Sequence, residues 1–169
     1  EWLRSGEVLG CVTTLGQPLQ GCRVIPLGAM RYIAVAAPEF AAGQLPRGLD
    51  RHNFHQVPFL CFNRKDDMQA EFVARLLGLS RVVLHSLYLP NSEAQVRAVE
   101  AGWGVGVLPA LLVRERVAQG RLVDVAPGTV LDIDLYWHCW NFDSTLLQQL
   151  TKALQEGAKN RLGDNRSQR

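Results

Sequence analysis

Four short stretches hold the side chains whose types could do chemistry. Thr13 and Thr14 close an apolar run. Asn63, Asp66 and Asp67 lie in NRKDD, Asn91, Ser92 and Glu93 follow Pro90, and Tyr136 and His138 belong to LYWH. Hydroxyls and amides donate and accept, whereas ionised carboxylates only accept, so the set offers donors for an anionic group and acceptors for a cationic one. The first three stretches fall where a strand gives way to a loop or a helix. Ligands of open α/β sheets collect beyond the carboxyl ends of strands, and helix N-termini present unpaired N–H groups to an anion. Asp67 and Ser92 equally fit plain helix caps, each worth about 1 kcal/mol, and one residue can serve in both ways. On a strand Tyr136 and His138 point one way and Trp137 the other. A satisfied core or sheet-face histidine is a more ordinary role for His138 than a base.

Other chemistry finds little support. The chain has no G-x-S-x-G, H-E-x-x-H or P-loop pattern, and His85 and Ser86, as neighbours on a strand, point to opposite faces. An enzyme is not expected. Cys11, Cys22, Cys61 and Cys139 are widely spaced in apolar stretches, which suits reduced thiols packed as small hydrophobes rather than a disulfide framework or a zinc site. His52 and His55 lack a third ligand nearby in sequence and fit a surface turn. No metal or cofactor is expected.

The elements that must position these residues can be read from periodicity. VEAGWGVGVLP, residues 99–109, places its glycines after a helix and at the start of a strand. A dinucleotide fingerprint needs them after a strand and at a helix start, so this is not one. Gly102 suits the left-handed position that closes a helix, while Gly104 and Gly106 would let another backbone or a ligand come close. Strands are expected over Val8–Thr14, Arg23–Leu27, Tyr32–Ala37, Val57–Phe62, Arg81–Tyr88, Leu122–Val125 and Asp132–Trp140. Ala41–Gln56 reads as a loop with one helical turn. Helices are expected after Asp66 or Asp67 to Gly78, with Phe72, Val73, Leu76 and Leu77 on one face, and after Asn91 or Ser92, with Ser92, Val96, Val99 and Trp103 as a buried stripe. Two more run from Pro109 to Gly120 and from near Ser144, the last with Leu146, Leu150, Ala153, Leu154 and Gly157 along one side. Strands alternating with helices argue for an α/β fold with largely parallel sheets.

Of 169 residues, 47% are hydrophobic and 20% charged, which excludes a disordered chain. No apolar run approaches the ~20 residues that span a bilayer, so no membrane contact is expected. The net charge of +2 arises in the tail, where residues 151–169 carry five Lys and Arg against two acids. That polar tail lacks aromatics and reads as a frayed terminus, so nucleic-acid binding by this chain is not expected.

AGWGVGVLP resembles the A-G-x-G-[IV]-x-x-L-P element of LysR-type transcriptional regulators, in the part that binds small effectors. EWLRSGEVLGCVTT and LGAMRYIAVAAP are similar to the family's segments leading into the cleft and crossing between its subdomains. NRKDDM, PNSEA and LYWH resemble the arginine- and lysine-responsive branch of the family. The similarity runs from residue 1 to about residue 157. The family's winged helix-turn-helix, linker helix and first strand and helix of the effector domain have no counterpart, so the chain is expected to be a fragment whose parent carries the DNA binding.

The resemblance implies a periplasmic-binding-protein-like (type 2) α/β fold: two subdomains joined by crossings near Ala29–Tyr32 and Thr129–Asp132, residues 1–30 with 131–169 forming an incomplete first subdomain and 31–130 the second. It implies a cytoplasmic sensor of a basic amino acid, lysine or arginine, held between the subdomains, with the chain self-associating as a dimer or tetramer. An amino acid needs donors for its carboxylate, here Thr14, Ser92 and the N–H groups after Pro90. It needs acceptors for its cationic groups, here Asp66, Asp67 and Glu93. Which acid meets the side chain stays open, and the likeness keeps Tyr136 and His138 near the pocket. Two alternatives share the fold: a transport-type solute-binding protein and a small-molecule enzyme such as a transferase.

Overall fold

The computed structural model describes residues 2–162, and the end of the polar tail lies outside them. The chain divides into two compact units, one ending at Arg31 and resuming at Asp132, the other Tyr32–Leu131.

In the first unit, β1 (Gly10–Thr13) pairs antiparallel with β7 (Leu131–Trp140), Gly10 opposite Cys139 and Thr13 opposite Tyr136. β7 in turn neighbours β2 (Cys22–Ala36). The helix α5 (Thr145–Lys159) begins at Ser144, whose side chain accepts from the Leu147 N–H. Trp137, Cys139 and Leu147 form the core, with Ile25, Leu27 and Leu154 packed against it. Here the expected helix face is corrected. Leu147 and Thr151 are buried, while Leu146 is 68% and Leu150 43% exposed. The reason is polar: the Trp137 indole N–H donates to Thr151 Oγ1 at 3.0 Å, fixing the Leu147–Thr151–Leu154 line against the sheet.

The second unit contains the end of β2, which pairs antiparallel with β5 (Val105–Pro109), Tyr32 opposite Pro109. β3 (Pro58–Cys61) lies parallel to both β5 and β4 (His85–Tyr88), and β6 (Val123–Asp124) pairs antiparallel with β2. The sheets are therefore mixed rather than largely parallel. Its helices are α1 (Pro38–Gln44), α2 (Met68–Leu77), α3 (Ser92–Glu100) and α4 (Ala110–Ala118). Val35, Leu60, Val96, Val99, Leu108, Val113 and Leu122 are buried together as its core.

Three further expectations are corrected. Arg23–Leu27 and all of Tyr32–Ala37 but its last residue belong to one fifteen-residue strand, because Gly28 at φ 128° and the exposed Pro26 are carried within the extended chain without ending it. The loop expected over Ala41–Gln56 begins inside α1, where Pro38 occupies the first turn, whose N–H groups lack helical partners in any case. On α3, Val96 and Val99 are buried as the stripe predicts, but Ser92 is exposed and Trp103, beyond the helix end, is 57% exposed.

The glycine run behaves as its order implies. Gly102 at φ 79° closes α3, its N–H donating to Val99 O at 3.0 Å while Trp103 N–H donates to Ala98 O at 3.0 Å. What approaches Gly104 is backbone: a Cβ there would collide with the Pro58 carbonyl oxygen and sit 2.9 Å from Pro58 Cγ.

Candidate functional site

The loop after β3 is built around Asp66. Its Oδ2 accepts from the Phe62 N–H at 2.8 Å and its Oδ1 from the Met68 N–H at 3.3 Å, while Asn63 Oδ1 accepts from the Lys65 N–H at 2.8 Å. The carboxylate thus folds its own loop and is held in one place. The loop after β4 is organised by Asn91, whose Oδ1 accepts from the Ala94 N–H at 2.9 Å and so caps α3. Behind it Gln95, nearly fully buried, donates from Nε2 to Leu89 O at 2.9 Å.

These loops frame a cavity of about 350 Å³ lined by Tyr32, Asn63, Lys65, Asp66, Ser92 and Gln95 over apolar walls from Phe62, Met68, Val107, Leu108 and Pro109. Exposure grades the lining: Asn63, Lys65 and Ser92 are exposed, Tyr32, Asp66 and Met68 half-buried, and Gln95, Val107 and Leu108 buried. Burial, with the Asp66 charge as a second cause, pushes the Tyr32 hydroxyl above its ordinary pKa, so it is a neutral phenol able to donate and accept.

Among the residues singled out from sequence, Asn63, Asp66 and Ser92 line this one cavity. Asp67 is the residue before α2 but makes no side-chain cap bond there, and it is not part of the lining. Asn91 acts as a cap. Glu93 is drawn to Arg97 at 3.6 Å and Arg116 at 3.4 Å. In the first unit, Thr13 and His138 line a separate cavity of about 580 Å³ with Cys11, Leu15 and Leu19. Thr13 Oγ1 accepts from the Leu15 N–H at 3.3 Å, and Thr14 is exposed beyond the end of β1. His138 is fully buried, and its Nε2 lies 2.6 Å from Leu15 O, which can only accept, so Nε2 carries the proton. Tyr136 stands beside Thr13 in the β1–β7 register, its ring under Gly16.

Sequence reasoning missed Tyr32, Lys65 and Gln95. Lys65 sat within NRKDD, and Tyr32 within the crossing segment. The only available signal for Gln95 was a polar residue one turn into α3 and directly before the buried Val96.

Among the described residues no three His, Cys, Asp or Glu side chains gather as a metal ion would need, and no helix is long and apolar enough to cross a membrane. The pattern of the LysR substrate binding domain matches residues 1–159. The chain belongs to this LysR family. Its fold is the family's periplasmic-binding-protein-like type 2 α/β architecture. Among curated relatives, the HTH-type transcriptional regulator ArgP of Pseudomonas aeruginosa (strain UCBPP-PA14) is 40% identical over 152 residues, covering 90% of this chain and 50% of that one. The chain thus spans about half the length of the curated relatives it matches. Among solved structures, the C-terminal domains of a LysR family protein from Agrobacterium tumefaciens str. C58 superpose with a TM-score of 0.90 at 41% identity, covering 96% of this chain and 78% of that one. Full-length LysG from Corynebacterium glutamicum with bound effector Arg gives 0.83 at 28% identity, covering 96% and 55%.

Proposed function

We propose that this chain is the effector-sensing part of a LysR-type transcriptional regulator and that its effector is a basic amino acid, arginine or lysine. The observation that carries this reading is the cavity of the Tyr32–Leu131 unit. It sets a fixed carboxylate, Asp66, beside hydroxyl and amide groups from Tyr32, Ser92, Asn63 and Gln95, over walls that suit an aliphatic stem. Arginine as the bound effector of LysG, at 28% identity, supports the same ligand class. Of the other residues singled out from sequence, Asp67, Asn91 and Glu93 belong to the same unit and stay candidates for ligand contacts.

In this reading the chain is a cytoplasmic sensor and not an enzyme. It self-associates as a dimer or tetramer, and DNA is bound by the half of the regulator that the chain does not span. A ligand changes transcription only through unequal affinity for two states of the regulator, so binding and switching are separable.

Isothermal calorimetry of this chain against arginine, lysine, leucine and glutamate tests the assignment. Saturable heat with arginine or lysine, and none with the other two, is expected. Absence of binding by both basic amino acids overturns it.

A further inference from the structure

We infer that Tyr32 is a specificity-determining residue: its hydroxyl and the Asp66 carboxylate together receive the cationic end of the effector side chain. The inference rests on the functional reading above and adds to it the orientation of the ligand and a residue that the sequence did not single out.

The chemistry of the lining gives the orientation. Of the two charged groups around the cavity, Lys65 is exposed and Asp66 half-buried, so the positive charge lies toward the rim and the negative charge deeper. Asp66 is the fixed one, because each of its oxygens already accepts a backbone N–H and each retains a further lone pair for a ligand. Tyr32, half-buried like Asp66, lines the same cavity from within β2, opposite Pro109 of β5. Half-buried Met68 and buried Val107 and Leu108 supply apolar surface along which the methylenes of an arginine or lysine side chain can lie. A zwitterionic head group has no such methylenes, and its carboxylate is better placed near Lys65 and Ser92 at the rim.

Tyr32 matters through its oxygen. Tyr32 lies close enough to Asp66 to feel its charge, a phenol that keeps its proton can accept from a ligand N–H, and a bond accepted from a guanidinium is about twice as strong as one accepted from a neutral urea. The pair therefore distinguishes a charged side chain from a neutral one of the same shape.

Calorimetry with arginine and with citrulline, its neutral isostere, on the unmodified chain, Tyr32→Phe and Asp66→Asn provides the test. Arginine is expected to bind the unmodified chain at least tenfold more tightly than citrulline. Tyr32→Phe, which keeps the ring and its packing, should weaken arginine by about tenfold and citrulline by less than threefold, as loss of a charge-assisted bond requires. Asp66→Asn should abolish the preference, and a far-ultraviolet spectrum like that of the unmodified chain excludes misfolding as its cause. Equal loss for both ligands in Tyr32→Phe, or no loss for either, overturns the inference while leaving the effector class intact. Binding of neither arginine nor lysine to the unmodified chain removes the functional reading and this inference with it.

Discussion

Gly104→Ala is expected to be among the most damaging single-methyl additions in this chain. Gly104 sits at φ 154°, a region costly for any residue with a side chain, and its new Cβ would meet the Pro58 carbonyl oxygen and stand 2.9 Å from Pro58 Cγ and 3.0 Å from Pro58 C. Neither neighbour can rotate away. Pro58 is a ring residue in β3, one position before Phe59, which pairs with Val105 of β5. Overpacking costs about 1–3 kcal/mol and a disfavoured backbone conformation another 1–3, so the two together predict a loss of about 2–6 kcal/mol. That is a large part of the 5–15 kcal/mol that typically separates folded from unfolded domains. Gly102→Ala is the internal control: Gly102 has φ 79° but open space where its Cβ would lie, so only the backbone term of about 1–2 kcal/mol applies. Urea unfolding followed by tryptophan fluorescence reads both. If Gly104→Ala costs no more than Gly102→Ala, the close approach of β3 to β5 is not what requires glycine at this position.

Three further outcomes are expected. Asn91→Ala should cost about 1 kcal/mol by removing the cap on Ala94 N–H, whereas Asp67→Ala, which removes no side-chain cap bond, should cost clearly less in the same unfolding assay. Arg31→Gln breaks the two 2.8 Å bonds to Asp132, but the Arg31 side chain is 56% exposed, so the loss should stay at or below about 1 kcal/mol and shrink as salt is raised. Tyr32 ionises above its ordinary value of 10.0 because of burial first and Asp66 second. A raised folded value means that its contribution to stability is fully present below pH 10 and is lost as pH rises beyond it. Tyr32→Phe should therefore remove part of the alkaline destabilisation, and absorbance at the phenolate band checks the assignment.

Local rules with one clear residue were legible in the sequence. Asn91 and Ser144 cap helices, and Gly78 at φ 63° and Gly102 close them, because these positions depend on a side-chain oxygen or on freedom from a Cβ. The family could also be read, since AGWGVGVLP combines a helix end, a close backbone approach and a helix start in one short run. What failed depended on partners distant in the chain. The buried face of α5 is set by a bond from Trp137 to Thr151, which no pattern of leucines reveals. Arg23–Leu27 and Tyr32–Ala37 read as separate strands, whereas β2 runs on through Gly28 to Ala36. In the candidate site, Asn63, Asp66 and Ser92 were visible because they follow strand ends, but Tyr32 lies within a strand and Gln95 within a helix. Only tertiary packing brings those two to the same cavity.

The central claim is that the cavity of the Tyr32–Leu131 unit takes the effector. A crystal structure of this chain with arginine bound tests it most directly. The guanidinium is predicted to lie at hydrogen-bond distance, about 3 Å, from Asp66, with Asn63 and Ser92 in contact with the same molecule. Arginine bound with none of these three residues touching it would contradict the account.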